Sequence, residues 1–330
     1  MNELDVKLLS LMADGCFHSG TQLGKALGIT RAAVWHHMQQ LHTLGLHIDA
    51  ISGKGYRLSR TLDLLDSAMI LSEIQPSLRQ AIGSLAILSC VDSTNNYLRE
   101  RAIPERGVSI CLAEHQSHGR GRMGRSWVSP FASNIYLSMA WQFEHGSERL
   151  AGFSLVVALA VVRALKRLGL DDAGIKWPND VLWQQAKLAG VLIEASGEMH
   201  GPSRVILGLG LNVDMPVQTA ADIDQPWTDL RQANIFAARS TIAAYLIEEL
   251  IQIITRFGEQ GFTCFREEWA EYDLCLNRHV RIILSADTHY QGIARGVDAA
   301  GLLLVEQSDG IKVHASGDVR LRIVNNVATA

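Results

Sequence analysis

Several features that would place this chain in a familiar class are absent or scarce. Its five cysteines are widely scattered and form no C-x-x-C pair, so a disulfide framework or a structural zinc site is not expected. The apolar run over residues 150–162 has only 13 residues, whereas a membrane span needs about 20. Glu3 and Asp5 stand where a secretion signal would be basic. No G-x-x-x-x-G-K-[ST] motif occurs, which excludes a P-loop. We expect a cytoplasmic protein without a membrane partner.

The chain has enough apolar residues for a large core, and its charge is unevenly distributed. Hydrophobic residues make up 48% of the 330 positions, and this length predicts two or three domains. The formal net charge of −4 gives no sign of a nucleic-acid partner. However, the first 60 residues hold six Lys/Arg and four Asp/Glu, a net +2, so the remainder carries −6. The average therefore hides a module with a different partner.

The first 60 residues predict a winged helix-turn-helix. Ser19 and Thr30 are N-cap residues for two short helices, over 20–27 and from 31 to about 44, with a turn at Gly28 between them. A hairpin with a basic, glycine-rich tip follows as the wing. The alternative is a helical docking domain with a solvated polar face. As DNA contacts we predict Arg31, Ala32, Trp35, His36 and Gln39 on the second helix, and Lys54 and Arg57 on the wing.

The rest of the chain indicates two further domains and an α+β fold overall. Strand-like runs and a few helices do not alternate strictly beyond about residue 68, which favours a mixed sheet over a doubly wound one. Short strands separated by glycines from about residue 274 predict a small β-barrel. We therefore expect a winged helix-turn-helix over 1–62, a catalytic domain over 68–270 and a barrel over 274–325.

A glycine- and arginine-rich loop is the first candidate ligand site. Residues 119–125, GRGRMGR, match G-x-G-x-x-G literally, but they run into Ser126-Trp127-Val128-Ser129-Pro130, which is not helical. A dinucleotide fingerprint has to open a helix after a strand, so this motif is not one. Three arginines among glycines instead predict a flexible clamp for a carboxylate or a phosphate.

Two further segments suggest ligand chemistry. Lys176 to Asp180 and Lys187 to Gly190 are interpreted as one hairpin, with a turn at Pro178-Asn179 and a returning strand that begins near Lys187. Asp180 would bind a metal or accept a proton, and Lys187 would hold an anion; the alternative is an exposed salt bridge at a turn. Gly208 and Gly210 interrupt an apolar strand, which indicates close approach of a ligand or a partner backbone, or else a bulge.

Together these motifs resemble one family, the biotin–protein ligases, in the bifunctional form that also represses the biotin operon. The resemblance covers almost the whole chain, and the ordered set is far more specific than any single motif. The matching segments are Gln22-Leu23-Gly24, Arg31-Ala32-Ala33 and Gly53-Lys54-Gly55-Tyr56 of the winged module, Asp92-Ser93-Thr94-Asn95 (S-T-N), residues 119–127 (G-R-G-R-x-G-R-x-W), 176–180 (K-W-P-N-D), 187–190 (K-L-A-G) and 208–212 (G-x-G-x-N).

The resemblance implies a class II synthetase-like central domain, an SH3-like C-terminal barrel and a two-step acyl transfer. The biotin carboxylate attacks the α-phosphate of ATP, supplied with Mg²⁺, and gives biotinyl-5′-AMP and pyrophosphate. A lysine of a biotin carboxyl carrier protein then takes the biotin and releases AMP. Biotin is thereby both substrate and corepressor precursor, because adenylate binding orders the arginine loop and promotes a homodimer that binds operator DNA.

The resemblance also implies roles for individual residues. Lys187 is an electrostatic group rather than a nucleophile, and Asp180 orients the incoming lysine or, tentatively, binds Mg²⁺. The catalytic set is Arg120, Arg122, Asp180 and Lys187. The biotin site is Ser93, Thr94, Asn95, Gln116, Gly119, Arg120, Arg122, Lys187, Gly190 and Gly208. The nucleotide site is Arg122, Lys176, Asn179, Asn212 and Trp227.

Two alternatives remain open at this point. One is a biotin-sensing transcriptional repressor without ligase activity, although a pure sensor has no need of Arg120, Arg122, Asp180 and Lys187 together. The other is a lipoate ligase, which has a related catalytic fold, although the winged module argues against it.

Overall fold

The computed structural model describes most of the chain. The described residues are 3–42, 45–102, 104, 106–144, 146–197, 201–217, 219, 223–285, 287–317 and 319–324. The outer domain limits at residues 1 and 325, and the helix end expected near residue 44, lie outside them.

The N-terminal module is a winged helix-turn-helix, which confirms the prediction. It consists of α1 (Glu3–Met12), α2 (Gly20–Leu27), α3 (Arg31–His42) and the antiparallel hairpin of β1 (Ile48–Ile51) and β2 (Gly55–Leu58). Ser19 caps α2 through a capping box with Gln22. Gly28 ends α2 with a φ of 70°, a left-handed conformation that glycine adopts without strain. The predicted apolar stripe of α3 is buried, so its opposite face remains exposed.

The central region is built on a mixed sheet. Its elements are α4 (Ser67–Glu73), α5 (Pro76–Arg79), β3 (Ile82–Leu88), α6 (Thr94–Arg99), β4 (Val108–Ala113), β5 (Ile135–Phe143), α7 (Phe153–Arg167), β6 (Gly174–Lys176), β7 (Asp180–Trp183), β8 (Ala186–Gly197), β9 (Ser203–Leu211), α8 (Arg239–Gln260) and α9 (Arg266–Glu271). The seven strands have the order β3-β4-β5-β9-β8-β7-β6, and β3 and β4 are parallel. Helices α7 and α8 pack in the main core on one face of the sheet, whereas Leu98 of α6 packs with Cys111, Ala140 and Ile206 in a separate cluster.

The C-terminal region is a five-stranded antiparallel sheet that shares the main core. Its strands are β10 (His279–Ile283), β11 (His289–Val297), β12 (Leu303–Gln307), β13 (Gly310–His314) and β14 (Arg320–Ile323), in the order β13-β12-β11-β10-β14. Val280 and Val305 pack in the central core, and the Trp177 indole donates to the Gly301 carbonyl at 3.2 Å. The α+β class and its three parts are confirmed. Within the described residues, no helix combines the length and apolar character that crossing a membrane requires.

The chain between Lys176 and Lys187 makes two turns, so the single hairpin was wrong. After the turn that contains the cis Trp177–Pro178 bond, β7 begins at once at Asp180. A second turn at Gln184 and Gln185, with φ of 47° and 65°, leads into β8. The second turn was missed because Gln-Gln carries none of the usual turn residues.

A buried ion pair fixes the segment between the first two modules. The Arg239 guanidinium is 2% exposed, lies 2.6 Å from the Glu114 carboxylate, and donates to the main-chain oxygens of Asp63 and Asn134. Glu114 also accepts from the Leu65 amide at 2.7 Å. Because every one of these groups is paired, the connecting segment is held in one position on the central domain.

Candidate active site

A cavity of about 510 Å³ opens between α6, the loop over residues 119–128, strands β8 and β9, and residues 223–227. This volume suits a small-molecule ligand. Gly119, Lys176 and Asp180 adjoin lining residues but do not line the cavity themselves. The predicted residues that do line it are Ser93, Thr94, Asn95, Gln116, Arg120, Arg122, Asn179, Lys187, Gly190, Gly208, Asn212 and Trp227.

The end of the cavity beside α6 is a preorganised hydrogen-bond network. The amide and hydroxyl of Thr94 donate to the Gln116 side-chain oxygen at 2.9 and 3.1 Å. The hydroxyl of Ser138, a fully buried residue, lies 2.7 Å from Thr94 Oγ1 and 2.5 Å from Asn95 Oδ1. Sequence reasoning missed Ser138, because a lone serine in an apolar strand carries no motif. The network orients polar atoms that a polar ligand ring would meet.

The glycines beside the cavity make room for the chain's own side chains. A Cβ at Gly208 would lie 2.5 Å from Asn95 Oδ1, and one at Gly210 would fall on the Trp127 ring. A Cβ at Gly190 would lie 3.1 Å from that ring, and one at Gly119 would lie 2.5 Å from the Trp127 carbonyl oxygen. The pairing of β9 with both neighbours is continuous, so the bulge alternative was wrong. Close packing was predicted correctly, but Trp127 was not foreseen as its main cause.

Three largely buried cations meet on the opposite side of the cavity. Lys187 Nζ lies 2.6 Å from Asp180 Oδ1, with the side chains 11% and 13% exposed, so the pair is not the exposed salt bridge considered above. Arg122 donates to Asn179 Oδ1 at 3.0 Å and to the Ser316 carbonyl of the C-terminal domain. Burial lowers the pKa of Arg122 and that of Lys176, and the nearby Asp180 partly offsets this. With one carboxylate among three cations, this side of the cavity favours an anion.

Arg120 has partners in the protein itself. Its guanidinium donates to Asn96 Oδ1 at 2.8 Å and to Glu194 Oε2 at 3.2 Å. Glu194 also accepts from the Asn95 amide at 2.7 Å and pairs with Arg99 at 2.7 Å. Glu194 therefore joins α6, β8 and the arginine loop. Sequence reasoning missed it, because it belongs to none of the motifs.

Unpaired polar atoms mark the third part of the cavity. Asn212 Nδ2 donates to the Thr228 carbonyl at 2.9 Å, while Asn212 Oδ1 and Trp127 Nε1 are buried without a partner among the described residues. Main-chain bonds of Lys187 to Pro226 and Thr228 place Trp227 at the rim. Since buried polar groups are nearly always paired, these atoms indicate a ligand with its own donors and acceptors.

The described residues do not form a protein-built metal site. No group of three or more His, Cys, Asp or Glu among them has the arrangement to hold a metal ion. Asp180, the tentative Mg²⁺ ligand, has one carboxylate oxygen committed to Lys187 at 2.6 Å. A single paired carboxylate is a poor cage for Mg²⁺, which is commonly held by one or two carboxylates plus substrate phosphates.

The predicted DNA-contacting residues share one exposed face of the N-terminal module. All five from α3 are exposed, including Trp35 at 56%. On the wing, Lys54 is exposed, whereas Arg57 pairs with Asp49 at 2.6 Å and lies over the Phe17 ring. An exposed tryptophan on a polar helix face indicates a contact surface rather than a solvated one.

Family models match all three parts of the chain. Residues 87–212 match the Biotin/lipoate A/B protein ligase family, residues 6–57 an HTH domain, and residues 275–322 the Biotin protein ligase C terminal domain. The fold and the cavity thus define a ligase of this class that carries a helix-turn-helix.

The relatives narrow the class. The chain is 39% identical to the bifunctional ligase/repressor BirA of Escherichia coli K12, over 97% of this chain and 98% of that one. It is 31% identical to the BirA protein of Bacillus subtilis, over 92% and 94%. A solved biotin protein ligase from Aquifex aeolicus, in complex with biotin and ATP, is 27% identical with a TM-score of 0.63, over 73% of this chain and 100% of that one. The chain belongs to the biotin–protein ligase family and is similar throughout to its bifunctional ligase/repressors.

Proposed function

We propose that this protein joins biotin to a carrier protein in two steps. The biotin carboxylate oxygen attacks the α-phosphorus of ATP, the bond to the β-phosphate oxygen breaks, and pyrophosphate leaves. A lysine amine of a biotin carboxyl carrier protein then attacks the acyl carbon of biotinyl-5′-AMP, AMP leaves, and the nitrogen loses a proton. The observation that carries this proposal is the meeting of a polar network and three buried cations in one cavity.

The positions of the residues suggest how they divide this work. The network of Thr94 and Gln116 would hold the ureido ring, with Ser93 and Asn95 beside it. Arg120, Arg122 and Lys187 would neutralise the carboxylate and the phosphoryl oxygens, since fixed cations stabilise developing charge best. Lys176 and Asn179 would support the phosphates, and Asn212 and Trp227 would face the adenine. Gly119, Gly190 and Gly208 keep Trp127 and Asn95 in place.

Asp180 would position Lys187 or the incoming lysine. Mg²⁺ would arrive with the phosphates of ATP and reduce their charge, and a direct bond to Asp180 would require the ion pair with Lys187 to open.

We further propose that the N-terminal module binds the operator of the biotin biosynthesis genes, and that the adenylate-bound form does so as a homodimer. The exposed α3 face supports this proposal, as do the HTH match and the ligase/repressor names of the relatives. We keep domain limits of 1–62, 68–270 and 274–325; Leu62 and Leu65 pack in different cores, which supports the first boundary. Five free thiols support a reducing, cytoplasmic location.

Biotin-dependent exchange of radioactive pyrophosphate into ATP tests the enzymatic proposal. We expect exchange with biotin and none without it. A protein that binds biotin and operator DNA but shows no exchange would instead be a sensing repressor. Competition between biotin and lipoate in one acylation assay decides the remaining alternative, because a lipoate ligase would prefer lipoate.

A further inference from the structure

One arginine of the N-terminal module bonds to two segments that continue into the cavity wall. The Arg60 Nη2 atom donates to the Phe131 carbonyl at 3.0 Å and to the Ser133 hydroxyl at 2.6 Å, and Nη1 lies 3.4 Å from the Asp214 carboxylate. Two residues further on, the Leu62 amide donates to the Ala13 carbonyl at 2.9 Å, and Leu62 is buried in the N-terminal core. Arg60 is thus fixed on one module and bonded to the other.

The first segment is shared by both modules. We refer to residues 131–133 as the shared segment. Phe131 and Ala132, 3% and 4% exposed, belong to the hydrophobic core of the N-terminal module. The shared segment directly follows the arginine loop, whose end is tied down by Ser129: its hydroxyl accepts from the Gln116 amide at 3.2 Å and donates to the Trp127 carbonyl at 3.0 Å. A shift of the shared segment would therefore displace Trp127 and Gln116, which line the cavity.

The second segment also reaches the cavity within a residue or two. Asp214 lies between Asn212 and Met215, which both line the cavity. Its amide donates to the Ser133 carbonyl at 3.0 Å, so the two segments are also bonded to each other. Arg60 is therefore the point at which the N-terminal module holds the bases of both cavity walls.

We propose that Arg60 is a positioning residue through which the N-terminal module sets the geometry of the ligand cavity, and through which ligand binding is communicated to that module. Its half-buried guanidinium bridges three acceptors on two chain segments, which a shorter or unbranched side chain does not reproduce. The communication half of this inference rests on the proposed ligase/repressor function. The structural half, that Arg60 orders both cavity walls, does not.

Hydrogen–deuterium exchange on the full-length protein tests the structural half without any ligand. We expect Arg60→Gln to increase deuterium uptake both in the arginine loop and in the chain around Asp214. Ser133→Ala, which removes the 2.6 Å contact from the other side, should increase it at the same places. Arg295→Gln is the matched control, since it removes a guanidinium of similar exposure from an ion pair with Glu306 in the C-terminal domain. Uptake unchanged in both walls, or changed only within the N-terminal module, would overturn the proposal.

Kinetics and operator binding test the coupling. With fewer molecules in the binding geometry, Arg60→Gln should raise the KM for biotin about 5-fold and leave kcat within about twofold. The gain in operator affinity produced by biotin with ATP should fall by a similar factor. Loss of kcat at unchanged KM, or an unchanged gain, would contradict the coupling. If the wild-type protein itself shows no pyrophosphate exchange or no operator binding, the proposed function fails, and the exchange measurement still decides the role of Arg60.

Discussion

The charged side chains beside the cavity constrain one another, so single substitutions there have two effects. Lys187 and Asp180 form a buried ion pair at 2.6 Å, and removing one partner leaves the other as an uncompensated charge. The same holds for Arg120 and Glu194, whose pairing is more exposed and therefore weaker. Any test of a charged residue here has to separate lost catalysis from lost stability.

Lys187→Ala should lower carrier biotinylation at least about 100-fold, the scale of losing one preorganised stabiliser of developing charge. The Lys187 ammonium also lies 5.4 Å from the Trp127 ring centroid, so part of the loss will reflect a displaced tryptophan. Single-turnover transfer from preformed biotinyl-5′-AMP measures the effect, with thermal unfolding recorded in parallel. Lys312→Ala, at an exposed pair with Asp309, is the control. Near-normal turnover would remove Lys187 from the mechanism.

Asp273 makes a pH-dependent contribution to stability at the start of the C-terminal domain. Burial raises the pKa of Asp273 to about 6, above its ordinary 3.8. The folded state then binds the proton more tightly than the unfolded state, so stability should fall as pH rises from about 4 to 6 and level off above. Relative to Asp273→Asn, the wild-type free energy of unfolding should drop by about 2–3 kcal/mol across this window. Asp309→Asn, an exposed site, should show no such difference, and parallel urea unfolding curves would refute the assignment.

Sequence patterns located most of the cavity residues because their motifs are contiguous. Thr94, Gln116, Lys187 and Asn212 were predicted from such motifs and line one cavity. Ser138 and Glu194 were missed, since each is an isolated polar residue whose role comes only from the neighbours that the sheet brings to it. The Glu114–Arg239 pair, 125 positions apart, is hidden from local patterns for the same reason.

At the scale of elements, β9 shows why some predictions were right for a different reason. Its two glycines indicated close approach, and the approaching groups are Asn95 and Trp127 of the same chain. The turn at Pro178-Asn179 was recognisable from its residues, whereas the turn at Gln184-Gln185 is imposed by the pairing of β7 with β8. Local signals predicted elements well where backbone preferences decide the structure, and poorly where tertiary pairing does.

Gly210→Ala should disturb the cavity through this strand. A Cβ at position 210 would fall on the Trp127 ring, so the tryptophan must move and biotin affinity should fall about 10-fold, equivalent to about 1.4 kcal/mol. Isothermal titration with biotin measures the change. Gly258→Ala in α8, where no atom lies within 4 Å of the new Cβ, should leave affinity unchanged and stabilise the helix by about 1 kcal/mol. Equal affinities for both variants would show that Trp127 does not shape the site.

At the scale of the whole molecule, charge is divided between parts with different partners. The net −4 of the chain combines +2 in the first 60 residues with −6 elsewhere. An acidic body repels DNA, so operator binding has to come from the exposed α3 face and the wing, and a homodimer would double that surface. The average charge alone gave the wrong impression, because it adds two surfaces that never meet the same ligand.

Salt dependence of operator binding tests this division. Each cation that neutralises a DNA phosphate releases counterions, so Lys54→Ala should reduce the slope of log affinity against log salt by about 1 per protomer. Arg57→Ala should change it less, because Asp49 at 2.6 Å already neutralises that guanidinium. Lys166→Ala, an exposed lysine on α7, is the control and should leave the slope unchanged. Titrations of operator binding at several salt concentrations measure all three variants. If Lys166 and Lys54 had equal effects, binding would depend on the overall charge of the molecule and the wing would have no specific contact with DNA.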